Sequence, residues 1–529
     1  MKKSIIYVFL MTAAALSSCD KFLDSHPKDF LNPDNYYTKK ENLDAGLMGV
    51  YTHMSTRGSA SAGAGYTIYG EENMPYKLVV SDLEWHNTTT PANYVAIFSF
   101  TSSDQNVAHY WRALYVGISR ANSFIDAIES AHIPGVSEEY KNAAVGEAYF
   151  LRGFYYWHLA ANFGGVPLRT TYNPEVTHIE RASLKDVYEQ ILKDLEKAEG
   201  MVYDADYLNL PTRVTKTTVQ AMLSRVCLYM AGEPLNETAK YREALEWARK
   251  VKQSGLHTLN PSYEDLFTRM INDSLDLDYR ESMFEVAFYG VDSETPRTEG
   301  KFGGVNGINC KDPAIGFTYP QIRASTVLEN YYLEDPDDTR YAWSVPTYHW
   351  GTVTSNATKL NMNFGERYPG KYRKEVCTGP KGNNYTSTNF PVMRYADVLL
   401  MLAEAANEVD GPTNEAFEAL NEVRQRAEAK LCANAADPEK IALTTKEDFR
   451  EFIKKERARE LCFECTRRLD LVRWGDLVNN VQYMSSLYTT TATVNARRAG
   501  NNIAEKHVLM PIPSIELNSN KLMKQNPGW

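Results

Sequence analysis

Two clusters of residues carry side chains suited to holding a flat, ring-shaped ligand. The first is Ser81-Asp82-Leu83-Glu84-Trp85-His86-Asn87, with Tyr94 just beyond it. The second runs from Arg340-Tyr341-Ala342-Trp343 to Tyr348-His349-Trp350. A ring with apolar faces and a hydroxyl rim, as in a sugar, is held by aromatic platforms flanked by Asn, Asp, Arg or His. Trp85, Asn87, Tyr94, Trp343, Tyr348 and Trp350 are therefore the candidate binding residues, with Tyr289 as an outlying one. The competing reading is that each fills a core, because a Trp is usually largely buried.

Other groups could do different chemistry. Asp82 and Glu84 are the carboxylates that a surface glycosidase would use. Asp335, Asp337 and Asp338 fail the calcium-loop pattern, which needs Gly at its sixth position and a terminal Glu, and read as a solvated turn before Arg340. Glu456, Arg457, Glu460, Glu464, Arg467, Arg468, Asp470 and Arg473 could be taken for an acid–base or phosphate site. Their helical spacing points instead to ion pairs holding helices in register. Cys462 and Cys465 have the spacing of a redox or zinc pair. No second pair or adjacent His completes four ligands, so they are expected to pack as small residues on a helix, with no metal.

Helices must position these groups. From Gln105 apolar residues recur at three and four: Trp111, Tyr115, Ile118, Asn122 and Ile125. A helix over 138–163 is apolar on two sides, so it must lie between neighbours, and Gly164-Gly165-Val166-Pro167 stops it. Helices over 183–199, 216–231 and 241–252 follow. The last two, with Ala221, Arg225, Leu228, Tyr229, Tyr241, Ala244, Leu245 and Ala248, resemble a tetratricopeptide repeat closed by Gly255. Between residues 255 and 389 the rhythm breaks, and residues 284–372 hold 15 Phe, Tyr and Trp in 89 residues. Such aromatics fill an irregular core or stand on loops, where binding residues concentrate. A stripe of Val392, Tyr395, Leu399, Leu402 and Ala406 restores the rhythm, followed by helices over 414–430, 446–461 and 466–479. Residues 55–65 read as a surface loop and 20–35 as a tether.

With 57 Lys and Arg against 67 Asp and Glu, the chain carries a net charge of −10, the wrong sign for a nucleic-acid binder. After residue 18 no apolar run approaches the ~20 residues of a membrane span. The front end reads as an export signal: Lys2 and Lys3, the apolar run from Ile5 to Leu16, then small residues. Leu16-Ser17-Ser18-Cys19 resembles the bacterial lipoprotein box. Residues 1–18 would then be removed and Cys19 acylated; several acyl chains, at ~0.8 kcal/mol per buried methylene, give stable anchoring.

Several separated motifs resemble the SusD/RagB family of outer-membrane nutrient-binding lipoproteins. They are Cys19-Asp20-Lys21-Phe22-Leu23-Asp24, residues 115–122 (YVGISRAN), residues 147–167 (EAYFLRGFYYWHLAANFGGVP) and residues 394–405 (RYADVLLMLAEA). Glu456-Arg457 through Glu460-Leu461, Glu464, Arg467, Asp470-Leu471, Arg473-Trp474-Gly475 and the ending Gln525-Asn526-Pro527-Gly528-Trp529 extend the likeness over the whole chain. The resemblance implies a mainly α fold in which tetratricopeptide-like helix pairs support an irregular, loop-rich ligand-binding region. It implies a helical N-terminal part over 19–255 and a C-terminal part over 256–529 that contains this region. It also implies a non-catalytic, lipid-anchored protein on the outer face of the outer membrane, with no cofactor. Such a protein captures oligosaccharides for a SusC-like TonB-dependent β-barrel transporter. The family's ligand sites come from N-terminal and central loops like the two clusters above. Three readings compete: the same fold binding peptides, a surface glycosidase, and a scaffold using its helical repeats for protein contacts only.

Overall fold

The structure, a computed structural model, describes residues 36–55, 67–70, 77–87, 91–288, 300–351, 358–379, 381–382 and 386–529. Cys19, the tether and residues 56–65 of the small-residue stretch lie outside the described residues, as does Tyr289.

Helices dominate. Helix α1 (Lys40–Ser55) lies against α2 (Gln105–Ile128) and α3 (Glu138–Phe163). Asp104 caps α2, its carboxylate accepting from Asn106 N at 2.8 Å and Val107 N at 3.4 Å. Almost every residue of α3 from Ala143 onward is buried, as its two apolar sides require. The helix ends at Gly164, whose φ of +78° is one a side chain would resist. His158, within α3, is gripped on both ring nitrogens by the hydroxyls of Tyr69 and Tyr110, at 2.8 and 2.7 Å. Helices α4 (Leu184–Glu199), α5 (Lys216–Ala231) and α6 (Lys240–Gln253) each pack on the one before. Ala221, Ala244 and Ala248 are fully buried at the α5–α6 crossing. There the helices come close enough for Ser224 Oγ to donate to Ala244 O at 2.8 Å. Helix α7 (Tyr263–Ile271) leads into the irregular part.

The irregular part is held by short antiparallel ladders. Strand β1 (Glu84–His86) pairs with β3 (Ile322–Ala324), with Trp85 opposite Arg323. Strand β2 (Ser282–Val286) pairs with β6 (Phe390–Arg394), and β4 (Tyr348–Trp350) with β5 (Lys359–Asn361). Helices α8 (Thr326–Leu333) and α9 (Arg340–Ser344) lie between β3 and β4. After β6, α10 (Tyr395–Asp410) packs directly on α6, and α11 (Asn414–Arg426) and α12 (Lys446–Leu461) pack on α10. The helical array thus continues across the long intervening segment. Helices α13 (Arg467–Trp474), α14 (Leu477–Ser486), α15 (Val494–Asn502) and α16 (Ser514–Ser519) complete the chain.

Several expected elements differ in detail. Val392 lies on β6 rather than on the helix of α10, because the residues on either side of it pair with strand β2. The helix expected over 466–479 is two helices, broken at Gly475 with φ +76°. Cys462 and Cys465 flank a turn, not a helical face: Cys462 closes α12, and Phe463 and Cys465 have positive φ. All six cysteines among the described residues are free thiols.

The charged residues of the C-terminal half form a buried network. Glu460 accepts from three guanidiniums: Arg340 at 2.9 Å, Arg394 at 3.0 Å and Arg426 at 2.6 Å. Arg340 also holds Asp338 and Glu456, while Arg394 reaches Glu281 and Glu464. Lys371 adds a bond to Glu464 at 2.7 Å, and Arg424 binds Asp335 and Glu456. A neighbouring set links Arg225, Asp397, Arg457, Asp470, Arg473 and Glu404. Asp335 and Asp338 are therefore not a solvated turn: both are buried and ion-paired, and only Asp337 of the three faces water. The sequence segment is polar enough for a surface, but Arg424 and Arg340 draw its carboxylates inward.

The network sets how stability responds to pH. Burial alone raises a carboxylate, but Arg340, Arg424 and Arg459 outweigh it and hold Glu456 down at about 2. The arginines around Asp397 and Glu460 overcome burial in the same way and hold both below the usual range. Burial pushes His158 down to about 3, and His257 and His507 to about 4. Burial pushes Glu84 and Glu285 up to about 7. The lowered carboxylates stabilise the fold above their ordinary value of 4.5 or below, and that stability is lost as pH falls through their folded values. The buried histidines stabilise above 6.5 and lose this as pH falls toward 3–4. Glu84 and Glu285 have the opposite sign, stabilising below 4.5 and losing it as pH rises to about 7. Histidine and raised-glutamate contributions thus oppose each other between pH ~4.5 and ~6.5, while below ~4.5 the remaining contributions fall together. The urea midpoint should change little across the upper window and drop steeply below it; a midpoint unchanged down to pH ~3 would contradict this assignment.

Candidate functional site

Among the described residues, strand β4 is the one place where two of the candidate rings stand together at the surface. Strand alternation puts Tyr348 and Trp350 on one face, and both are half-buried. Their rings meet edge to face, with centroids 6.0 Å apart at 84°. One carboxylate fixes both polar tips: Tyr348 Oη donates to Glu375 Oε1 at 2.6 Å and Trp350 Nε1 to Glu375 Oε2 at 2.5 Å. Burial, reinforced by Glu375, raises the Tyr348 hydroxyl well above its ordinary range, so it donates at any physiological pH. Lys359 on β5 places its ammonium 3.9 Å from the Tyr348 centroid and 5.2 Å from that of Trp350. His349 points the other way, edge-on to Tyr368, on which the Arg323 guanidinium stacks at 3.7 Å.

A strap over residues 302–321 connects this hairpin to the first cluster. Trp350 N donates to Asn309 O at 3.0 Å. At the far end of the strap Asn87 N donates to Gln321 O at 2.8 Å, and Asn87 Nδ2 to Pro320 O at 3.4 Å. Between them Tyr319 stands half exposed, with Lys311 Nζ 4.3 Å from its ring. The structure therefore brings Asn87, Tyr348 and Trp350 onto one frame with Tyr319, Lys311, Lys359 and Glu375.

The other candidates lie elsewhere. Trp85 is buried, its Nε1 donating to Gly365 O at 3.2 Å and its ring beside Tyr488 at 5.8 Å. Trp343 is buried beneath the Arg373 guanidinium at 3.9 Å. Both were expected at the surface; pairing with β3 turns Trp85 inward, and α9 turns Trp343 toward the core. Tyr94 is exposed on the turn over Pro91–Ile97, which packs on β1 and α15, and no bond joins it to the hairpin among the described residues. The carboxylates expected of a glycosidase are enclosed. Asp82 is held by Arg467 at 2.7 and 2.8 Å, and Glu84 accepts from Ser81 Oγ and Phe463 N. Among the residues not anticipated, Glu375 is 25 residues from Trp350, and Lys359 and Lys311 reach their rings only through the folding of the hairpin and the strap. The Tyr-His-Trp alternation was a readable sign of two rings on one strand face.

This architecture has known counterparts. Residues 262–529 match the model described as the SusD family, and residues 21–228 match one described as "Starch-binding associating with outer membrane". The chain belongs to the SusD family. It is 29% identical to the SusD-like protein P2 of Formosa agariphila, with all of both chains covered. It is 23% identical to the starch-binding protein SusD of Bacteroides thetaiotaomicron, over 82% of this chain and 80% of that one. The crystal structure of a SusD homolog from Bacteroides thetaiotaomicron superposes with a TM-score of 0.83 at 27% identity, covering 94% of this chain and 98% of that one.

The two tryptophan environments separate in a stability measurement. Trp85→Ala should cost about 3–5 kcal/mol in urea unfolding, as for other buried aromatic truncations. Trp350→Ala, at a half-open site, should cost about 1 kcal/mol or less. Equal losses would mean that Trp350 is core.

Proposed function

We propose that this protein captures oligosaccharides without cleaving them and hands them to a SusC-like TonB-dependent β-barrel transporter. In this reading it is held by acyl chains on Cys19 at the outer face of the outer membrane. The observation that carries it is the Tyr348–Trp350 platform, half exposed on β4, whose polar tips are engaged by Glu375 and whose rings stand beside the Lys359 ammonium. Family membership and the starch-binding name of a relative support a saccharide as that ligand. The description of the matched N-terminal model supports association with the outer membrane. Asn87, Tyr319 and Lys311 supply polar and aromatic groups to the rim of the same frame, and Tyr94 a more distant contact. Affinities in the micromolar to millimolar range correspond to about 4–8 kcal/mol, within reach of two stacked rings and a few hydrogen bonds.

The test is calorimetric titration of the soluble chain with a panel of neutral oligosaccharides. Trp350→Ala and Tyr348→Ala should each weaken binding about tenfold, since a ring contact contributes roughly 0.5–1.5 kcal/mol beyond area burial. The far-ultraviolet circular dichroism of both variants should match the parent. Unchanged affinity in both would reject the platform, and release of shortened sugars on incubation would reject a purely binding role.

A further inference from the structure

A second concavity, of about 960 Å³, lies between α2, residues 167–174 and α16. Its size falls at the upper end for small-molecule sites, which span roughly 300–1,000 Å³. The hairpin platform contributes no residue to it.

The loop that forms one wall is pinned by side chains beneath it. Tyr115 Oη donates to Pro167 O at 2.8 Å, Asn122 Nδ2 to Arg169 O at 2.9 Å, and Arg152 Nη1 to Thr170 O at 2.8 Å. Tyr172 N donates to Asp126 Oδ2 at 2.7 Å, and Arg152 is itself fixed by Asp194. A loop tied at four successive points loses little entropy when a ligand arrives, so the cleft is organised in advance.

The lining combines ring faces with positive charge. Tyr172, 50% exposed, and Ile515, 66% exposed, present apolar surface from two different elements of the lining. Arg112, Arg120 and Arg169 line it, against the single lining carboxylate of Glu516; Arg120 also donates through Nη1 to Gly49 O and Thr52 Oγ1, and Arg169 through Nη1 to Val176 O. In a chain of net charge −10 this is a local reversal of sign. Guanidinium forks match planar carboxylates and sulfates, and an aromatic face beside them matches the ring that carries such a group.

We propose that this cleft is a second saccharide site that selects sugars bearing a carboxylate or sulfate. The proposal rests on the saccharide-binding reading above but uses different residues, so the two can fail separately. The test titrates the full soluble chain with a tetragalacturonate, a heparin-derived tetrasaccharide and a neutral maltotetraose, alongside Arg112→Gln, Tyr172→Ala and Trp350→Ala. At least one acidic probe should bind more tightly than maltotetraose and lose about tenfold in each cleft variant. Its affinity should fall between 50 and 300 mM NaCl, as expected of screened charges, and stay unchanged in Trp350→Ala. Absence of binding by both acidic probes overturns the proposal. So does acidic binding that survives both cleft variants, or that follows Trp350 instead. Equal binding of a tetraglutamate peptide would overturn the saccharide assignment and leave a general anion cleft. Loss of the cleft result with neutral binding still dependent on Trp350 would leave the platform reading standing.

Discussion

Glu460 is buried without exposure and is approached by three guanidiniums from three separate parts of the chain: Arg340 of α9, Arg394 of β6 and Arg426 of α11. Desolvating such a group costs several kcal/mol, offset only if every partner is in place. The three arginines have further partners of their own, in Asp338, Glu456, Glu281 and Glu464. Apolar residues of similar volume could pack the same space with equal or greater stability, so net stabilisation does not explain the arrangement. Its effect is positional. Hydrophobic surfaces tolerate sliding, whereas a guanidinium forked between two carboxylates has one satisfactory placement. The segment between α7 and α10 has little regular secondary structure to define its path, and these contacts define it instead.

The Tyr348–Trp350 pair depends on that placement through a short covalent route. Lys371, fully buried, donates to Glu464 and to Glu460 O. Two residues on, Arg373 lies over the Trp343 ring and donates to Gly370 O at 2.9 Å. Two further on, Glu375 takes the tips of Tyr348 and Trp350. The same five residues therefore begin in the ion network and end at the surface rings. Trp343 belongs to the foundation of this route. It is buried beneath Arg373, whereas Trp350 on the following strand is half exposed.

The helical array was legible from periodicity because its signals are local. The helices over 138–163, 216–231 and 446–461 occupy the residues their apolar spacing marks, and Gly164 stops the first as its neighbours predict. The break at Gly475 and the strand ahead of α10 were less visible, since both depend on a positive φ or on a partner over a hundred residues away. The candidate rings divide on the same principle. Tyr348 and Trp350 alternate on a strand whose own pattern shows them on one face. Trp85 and Trp343 look identical in sequence, and only the position of β3 or of Arg373 decides that they turn inward. Asp335 and Asp338 make the point for charges, because an acidic turn is indistinguishable from a buried acid until its arginine is located.

The platform and the cleft arise from different parts of this architecture, and that difference governs what each can vary. The rings on β4 hang from a segment without regular structure, fixed at its root by the ion network, so substitutions beyond Glu375 can alter the ring surface without touching the array. The cleft is built on α2 and on a loop whose carbonyls are held by Tyr115, Asn122 and Arg152, and two of those three side chains are also core to the helical stack. Changing its floor means changing the array, while its exposed wall residues, Tyr172 and Ile515, are free to differ. A flat aromatic surface discriminates weakly among neutral rings, because every such ring has an apolar face. A guanidinium-lined hollow discriminates by charge. In the saccharide reading proposed above, a molecule holding both would retain a common grip while its selectivity is set some distance away, by residues that the grip does not depend on.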